Sequence, residues 1–575
     1  MFISTIKNKV ISNLPFIILI LILGTYLSIK ALPENSWDGW SQGSSQALLS
    51  NKHWVNDGFL KSYLLFLPQG YSKVVRYFDD PELRQHAHGT QAGDLIGQRL
   101  YYTHYPSGYL LPTALLMKAG VENRFWFRFL EILFSLGSLV FLYWFLTMIY
   151  NRIGAFLGAL FFGMSIMFWN YADSLANQPI DALLSSAIVA LSVAAIKNQK
   201  KYFNFLIWIL YFILAFSSYD STFFVFAWLV GLDLIIKKEI NLKKWAVWAL
   251  APVLAFGLQI LQNTLYLGWH DMLVDLYGVY NVRVLGKGMD FTMQIIRFIS
   301  PFDRFFGSRY PLGVLIAIAG FFYARWLVKN NTALNKYLIL SGIATLFNFL
   351  IFPPNMFYQG RLISIFGGLV MAIITLETMK VLRNKTELTK NIKLLYIAAF
   401  IIILGLWLIQ AQRSYAYYKH RAANDIPQKN VEYDKKIKNL VAGDKIIIQM
   451  LGLDRELPPS DPHPPYVRPQ KKIAFRLYDN HTNIPGIDPY PQIWTQDEYY
   501  VGSPILGFAR TSDLIRDLGY LKKRSEFPFS AIILSDQKEV LEKIREDIMI
   551  KKISQNNLKI LELESDKFAL IVPET

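Results

Sequence analysis

Runs of about twenty apolar residues, separated by short charged connections, recur along most of this chain, and no other feature limits its fold so strongly. A helix of that length crosses about 30 Å of hydrocarbon, and inside a bilayer only a helix or a closed barrel can pair all of its backbone polar groups. The runs fall near 13–32, 124–149, 153–171, 179–196, 202–218, 221–237, 245–266, 310–328, 335–352, 361–381 and 393–411. They make about eleven predicted spans, with no internal repeat. At 53% hydrophobic and 15% aromatic the chain is too apolar for a soluble protein of several domains, and at 18% charged it is too polar for a bare bundle of spans. A polytopic α-helical membrane protein with a sizeable watery part satisfies both.

Lys and Arg outnumber Asp and Glu by 59 to 43, a balance that in a soluble chain would raise nucleic acid as a partner. Here the excess sits in short connections, around Arg152, Lys197 to Lys201, Lys237 to Lys244, Lys329 to Lys336 and Lys380 to Lys393. That is the positive-inside pattern. It places the N-terminus in the cytoplasm, makes the bilayer the partner and leaves no role for nucleic acid. The first apolar run follows Lys7 and Lys9 without a small-residue cleavage pattern after it, so it reads as a retained first span. The absence of cysteine excludes disulfides, thiolate metal sites and cysteine nucleophiles.

The outer connections differ in kind: a first loop over 33–123, then ADSLANQP, SSYDS, a long loop from Leu267 to Arg309, and FPPNMFYQGR. Acids and aromatics collect there, so the chemistry is expected to face outward. YPSGYLLPTALLMKAG contains Pro106, Gly108 and Pro112 and reads as a helix on the membrane surface; counting it as a span would invert every later loop. After Gln412 the composition changes. Strand-like runs (KIIIQM, KIAFRLY, FSAIILS, LKILELE, FALIVP) alternate with helix-like ones (SDLIRDLGYL, QKEVLEKIREDI), and the proline-dense ELPPSDPHPPYVRPQ is loop. The expectation is a transmembrane domain over 1–412 and an extracytoplasmic α/β domain over 413–575.

An outward-facing enzyme has no ATP or nucleotide sugar, so an activated donor must arrive on a lipid. A sugar on a polyprenyl phosphate needs a carboxylate to take the proton of an acceptor hydroxyl, and cations to stabilise the departing phosphate. Asp38, between Trp37 and Trp40, stands just beyond the first span. It fits the base, and equally a cap for the helix SQGSSQALLS between two interface anchors. Asp181, in ANQPIDALL with Asp173 just before it, opens the fourth span, where the helix dipole favours a carboxylate whatever else it does. Asp220 in SSYDS carries the same two readings.

Among the outer cations (Arg76, Arg84, Arg99, Arg124, Arg128, Arg283, Lys287, Arg297, Arg304, Arg309 and Arg361), Arg361 is the most specific, because it opens a span where a guanidinium would meet a lipid phosphate. A snorkelling interface arginine is the alternative. Arg128 is also spaced to pair with Glu131 on one helix face. His86, His88, Asp79 and Asp80 raise metal binding, but Gly89 and Gly93 mark loop around HAH, and an acidic pair before Pro81 suits a turn. No cofactor is expected and a divalent metal is not favoured. His104, in THYPSG, would point at the membrane-proximal cavity.

The order of these features resembles the C-type, multi-spanning (GT-C) glycosyltransferase superfamily, which includes protein O-mannosyltransferases, lipid A aminoarabinose transferases and, more distantly, oligosaccharyltransferases. An acid follows the first span (Asp38 in SWDGW), a histidine-proline stretch opens a surface helix (His104 to Tyr109), an arginine begins the second span (Arg128 in RFWFRFLEIL) and an aspartate begins the fourth (Asp181 in PIDALL). The resemblance implies a polyprenyl-phosphate-linked sugar donor, an outward active site between the first loop and the spans, and a soluble outer C-terminal domain. The tryptophan-tryptophan-aspartate signature of oligosaccharyltransferases is absent, which argues against transfer of whole oligosaccharides to asparagine.

The expected activity is therefore transfer of one sugar, with inversion, to a hydroxyl acceptor outside the cytoplasmic membrane. Asp38 serves as base, Asp181 shapes the site, and Arg361, Arg128, His104 and Arg99 act on the donor phosphate. The rivals are a transporter or flippase of lipid-linked sugars, a polymerase or ligase using a pyrophosphate-linked glycan, and a receptor-like protein whose C-terminal domain binds a partner. Transporters keep ionisable groups near mid-bilayer, where these spans are nearly free of them.

Overall fold

Every predicted span falls mainly on helix where it lies among the described residues of the computed structural model, which are 2–32, 41–61, 63–66, 103, 105–200, 202–270, 272–273, 276–277, 280, 285, 291–307, 311–351, 363–383, 390–424, 446–450, 505–508, 531–535, 538–550, 558–564 and 567–572. The chain divides into two compact units. The first comprises Met1–Trp40, Tyr105–Gln262 and Val279–Asp425; the second comprises Ser41–His104, Asn263–Gly278 and Ile426–Thr575.

In the first unit α1 (Phe2–Ala31) is followed, after a segment assigned to the second unit that contains α2 (Ser41–Asp57), by a 3-10 turn at Gly108–Leu110 and α3 (Leu111–Lys118). The bundle continues through α4 (Arg124–Ile149), α5 (Arg152–Gly163), α6 (Ile166–Tyr171), α7 (Asn177–Asn198), α8 (Tyr202–Ser217) and α9 (Thr222–Gly231), which runs on as a π-helical turn at Leu232–Lys237. Then come α10 (Leu242–Leu267), α11 (Phe291–Phe306), α12 (Leu312–Leu327), α13 (Thr332–Ile351), α14 (Ile363–Arg383) and α15 (Lys390–Asn424).

Polar residues set the helix starts. Asn123 accepts from Phe125 N at 2.8 Å to open α4, and Asn151 accepts from Gly154 N at 2.8 Å to open α5. Among the described residues seven helices are long and apolar enough to cross a membrane: Asn13–Ala31, Arg124–Ile149, Asn177–Asn198, Leu242–Leu267, Thr332–Ile351, Ile363–Arg383 and Lys393–Arg413. Arg152–Gly163, Tyr202–Ser217 and Leu312–Leu327 are shorter apolar helices. The chain is thus a multi-pass membrane protein. The predicted run 153–171 is two helices because Ser165 breaks it, its hydroxyl accepting from Phe168 N at 3.2 Å to cap α6.

α3 has eight residues, about 12 Å of helix at 1.5 Å per residue, too short to cross. Pro112 stands in its first turn, where no backbone N–H is required.

Side-chain contacts sort the helix ends into two sets. At one end Lys30, Arg128 and Asp173 form one cluster and Asn177, Ser218 and Asp220 another. At the other, Lys197 donates to the Met148 carbonyl, Tyr150 to Glu377, and Lys380 pairs with Glu377 at 2.8 Å. There too Asp233 collects Lys244 at 2.8 Å and Lys237 at 3.4 Å. Lys197, Lys237, Lys244 and Lys380, each from a basic connection of the sequence, lie at this second end.

The core is dense. α4 packs on α7, and α5 on α14. At the latter crossing a Cβ on Gly158 would stand 2.7 Å from the Gly368 carbonyl oxygen and 2.6 Å from Leu146 Cδ1, the close backbone approach that small residues permit between membrane helices. Gly158→Ala is expected to lower stability by about 1–3 kcal/mol, read as an earlier thermal unfolding midpoint in detergent.

In the second unit Trp54 of α2 donates to the Leu65 carbonyl at 2.9 Å, and Leu65 clusters with Tyr266, Leu267 and Met272. The C-terminal part contains β1 (Ile446–Met450), β2 (Ile505–Phe508), β3 (Ala531–Ser535), α16 (Lys538–Ile550), β4 (Lys559–Glu564) and β5 (Lys567–Val572). They form a mixed five-stranded sheet in the order β2-β1-β3-β5-β4. β1 runs parallel to β2 and β3, while β5 is antiparallel to β3 and β4. Leu541, Ile544 and Ile548 of α16 are buried, the spacing of one helix face, and α16 packs on β3 and β5. β2 was not expected from its sequence ILGF, whose glycine and short length hide the strand pattern. KIAFRLY, SDLIRDLGYL and ELPPSDPHPPYVRPQ lie outside the described residues.

Candidate functional site

The first end of the bundle in the first unit holds two buried polar assemblies. One is an ion triad. Arg128 lies one turn into α4, Asp173 in the connection between α6 and α7, and Lys30 in the last turn of α1. The Asp173 carboxylate accepts from Lys30 Nζ at 2.9 Å through one oxygen and from the Arg128 guanidinium through the other. Asp173 and Arg128 are buried, whereas the Lys30 side chain is 23% exposed. The connection is pinned on both sides of the acid, by Ser135 Oγ to the Ala172 carbonyl at 3.0 Å and Ser174 Oγ to the Tyr171 carbonyl at 2.9 Å.

Burial pushes the Asp173 carboxyl upward, but the charges of Lys30 and Arg128 and their hydrogen bonds outweigh it and hold the group at about 2, below the ordinary 3.8. A folded-state value below the unfolded one stabilises the protein above the unfolded value, and this contribution is lost as pH falls from 3.8 toward 2. Denaturant midpoints measured at pH 5 and pH 8 are therefore expected to differ between wild type and Asp173→Asn by the same amount.

The second assembly is neutral apart from its acids. Asn177 Nδ2, at the start of α7, lies 2.5 Å from Tyr105 OH, 3.1 Å from Ser218 Oγ and 3.3 Å from Asp220 Oδ2. Tyr105 OH and Ser218 Oγ are 3.1 Å apart. One turn further along α7, Asp181 Oδ2 accepts from Ser221 Oγ at 2.7 Å, and Asp181 is fully buried. The YPSG segment thus docks on the turn between α8 and α9. Gly108 is required there, because a Cβ would stand 2.4 Å from the Phe216 ring and 2.5 Å from its carbonyl oxygen.

Of the residues singled out from sequence, Arg128 and Asp181 stand at this end in separate assemblies. Asp38, His104, Arg99 and Arg361 lie outside the described residues, as do Asp79, Asp80, His86 and His88. Arg128 meets Asp173, 45 residues on, a partner that helix spacing around Glu131 does not reveal. Lys30 escaped notice altogether. Its signal was a cation closing an apolar run at the end opposite the basic connections. Asn177 and Ser221 carried no signal, since neutral polar residues at helix starts are commonplace caps. Among the described residues no group of three or more His, Cys, Asp or Glu could hold a metal ion.

The backbone arrangement matches known structures. ArnT from Cupriavidus metallidurans bound to undecaprenyl phosphate superposes with a TM-score of 0.50 at 11% identity, covering 97% of each chain. The chain has the C-type glycosyltransferase fold. The same ArnT in the apo state gives a TM-score of 0.48 at 10% identity over 97% of each chain. The archaeal oligosaccharyltransferase AglB from Archaeoglobus fulgidus, in complex with an inhibitory peptide and a dolichol-phosphate, gives 0.41 at 10% identity, covering 91% of this chain and 69% of that one. No protein-family model and no curated protein matches the sequence.

Proposed function

We propose that this chain is a membrane glycosyltransferase that moves one sugar from a polyprenyl phosphate to a hydroxyl acceptor on a glycan, lipid or protein, inverting the anomeric centre. The observation that carries the proposal is the C-type fold shared over 97% of both chains with ArnT bound to undecaprenyl phosphate. The basic second end of the bundle would face the cytoplasm under the positive-inside bias. The end holding the triad would then open outward from the cytoplasmic membrane, with the N-terminus inside and the C-terminal domain outside.

Asp38 would take the proton of the acceptor hydroxyl, and Asp181, oriented by Ser221, would shape the adjoining site. Arg361, Arg99 and His104 would act on the departing phosphate. Arg128, held on Asp173 in the protein interior, would orient the triad, and Lys30 would offer its more exposed ammonium to the lipid phosphate. Lys30→Gln is accordingly expected to raise the KM for the donor by about tenfold, the loss of one charge-assisted hydrogen bond, with a smaller fall in kcat.

The test is the full chain in proteoliposomes with synthetic undecaprenyl-phosphate sugars and a panel of hydroxyl acceptors, the covalent product being read by mass spectrometry. Counterflow of labelled lipid without product would favour a flippase. Turnover restricted to pyrophosphate-linked donors with a divalent ion would favour a polymerase or ligase.

A further inference from the structure

The loop between α9 and α10 is a braced, basic tip that carries two bare aliphatic side chains. Asp233, buried in the π-helical turn, accepts from Lys244 Nζ at 2.8 Å and from the Trp245 indole N–H at 3.1 Å, and Lys237 stands 3.4 Å away. One carboxylate thus ties the end of α9 to the start of α10. Lys238 closes the π-helical turn in the left-handed region at φ 61°, and Glu239 N donates to the Asp233 carbonyl at 2.9 Å. The Asn241 side chain caps α10 by accepting from Lys244 N at 3.0 Å. On either side of that cap residue, Ile240 is 77% and Leu242 68% exposed. Lys238 and Lys243 flank them. Both are exposed, and among the described residues neither side chain forms an ion pair or a hydrogen bond. Glu239, also exposed, is the acid of the same loop.

Lengths decide what covers this tip. α9 with its π-helical turn covers Thr222–Lys237, at most about 24 Å of helix, which is less than about 30 Å of hydrocarbon. A loop over 238–241 reaches at most about 7 Å beyond the helix ends, and the headgroup layer on each side is about 5–7 Å deep. The tip therefore lies among headgroups. Leu234 on the π-helical turn and Val247 on α10 are exposed as well, so both helices show apolar surface to the bilayer within about two turns of the tip. Aliphatic side chains are stable at that depth, and ammonium groups there meet lipid phosphate. We propose that the α9–α10 loop is an anionic-phospholipid binding site, in which Ile240 and Leu242 sit among the headgroups while Lys238 and Lys243 hold the lipid phosphate. The site requires only that the chain span a bilayer. It stands at the opposite end of the bundle from Asp181 and does not depend on sugar transfer.

Two measurements test it on the full chain in nanodiscs. Because the sequence has no cysteine, Ile240→Cys and Leu242→Cys each carry a single label. Spin labels at both positions are expected to be more accessible to oxygen than to a water-soluble nickel chelate. The reverse order puts the tip in water, where a soluble partner would reach it, and overturns the proposal. A fluorophore on Leu242→Cys is then quenched by brominated phosphatidylglycerol or brominated phosphatidylcholine, each titrated separately. Phosphatidylglycerol is expected to reach half-quenching at about a fivefold lower mole fraction, the net effect near a membrane surface of two lysines less one glutamate. Equal quenching by the two lipids overturns the site. Lys238→Gln with Lys243→Gln is expected to abolish the preference at an unchanged melting temperature, and a preference that survives overturns the role of these lysines. Lys238→Arg with Lys243→Arg keeps the charge and is expected to keep the preference; its loss in this pair also overturns the phosphate contact.

Discussion

Asp38→Asn, inserted into the membrane at the wild-type level, is expected to slow sugar transfer by about 10²- to 10⁴-fold, the contribution of a positioned general base. The substitution keeps size and hydrogen-bonding capacity but removes the proposed proton acceptor, so the loss should fall on kcat and leave donor KM nearly unchanged. Asp38 stands between Trp37 and Trp40 after a span that ends with Lys30 in its last turn. A carboxylate there is close in sequence to a lysine whose charge is already engaged by Asp173. Steady-state rates with a soluble donor analogue in detergent, together with a thermal melt of the same preparation, separate lost chemistry from lost folding. Full activity in this variant would assign the proton transfer to another group, with Asp181 and Asp220 the next acids to replace.

Asp173→Leu is expected to cost stability rather than chemistry, about 3–5 kcal/mol, because it removes the buried carboxylate that the Arg128 guanidinium pairs with. The thermal midpoint should fall by many degrees, or the protein should fail to accumulate. The informative companion is Asp173→Leu with Arg128→Met. Replacing a buried ion pair by apolar side chains of similar volume is often close to neutral, and Lys30, at 23% exposure, can turn its ammonium toward water. Recovery of most of the lost stability in the double variant identifies the desolvated charge as the cause. A single variant as stable as wild type would show that water already reaches Arg128.

How far the sequence could be read depended on the range of the physics involved. Every apolar run falls mainly on helix where it lies among the described residues, because length and composition within one segment decide whether it can sit in hydrocarbon. The helix starts at Asn123 and Asn151 follow from capping, another local effect. The break at Ser165 was missed because the cap and the continuous apolar run point to different answers at that residue. Four of the five strands were anticipated in the C-terminal part, and β2 was not, since a four-residue strand containing glycine takes its structure from its neighbour β1.

The candidate site divides along the same line. Local pattern was enough to establish a membrane-embedded bundle, basic connections gathered at one end, and acids placed at the starts of particular helices, because each of these depends only on residues within a few turns of one another. The union of Lys30, Arg128 and Asp173, across separations of 143 and 45 residues, and the meeting of Tyr105 with Asn177 and Ser218 required the packed bundle. An ion pair or a hydrogen bond acts over a few ångströms, and no periodicity along the chain records which distant turn packing will bring within that reach.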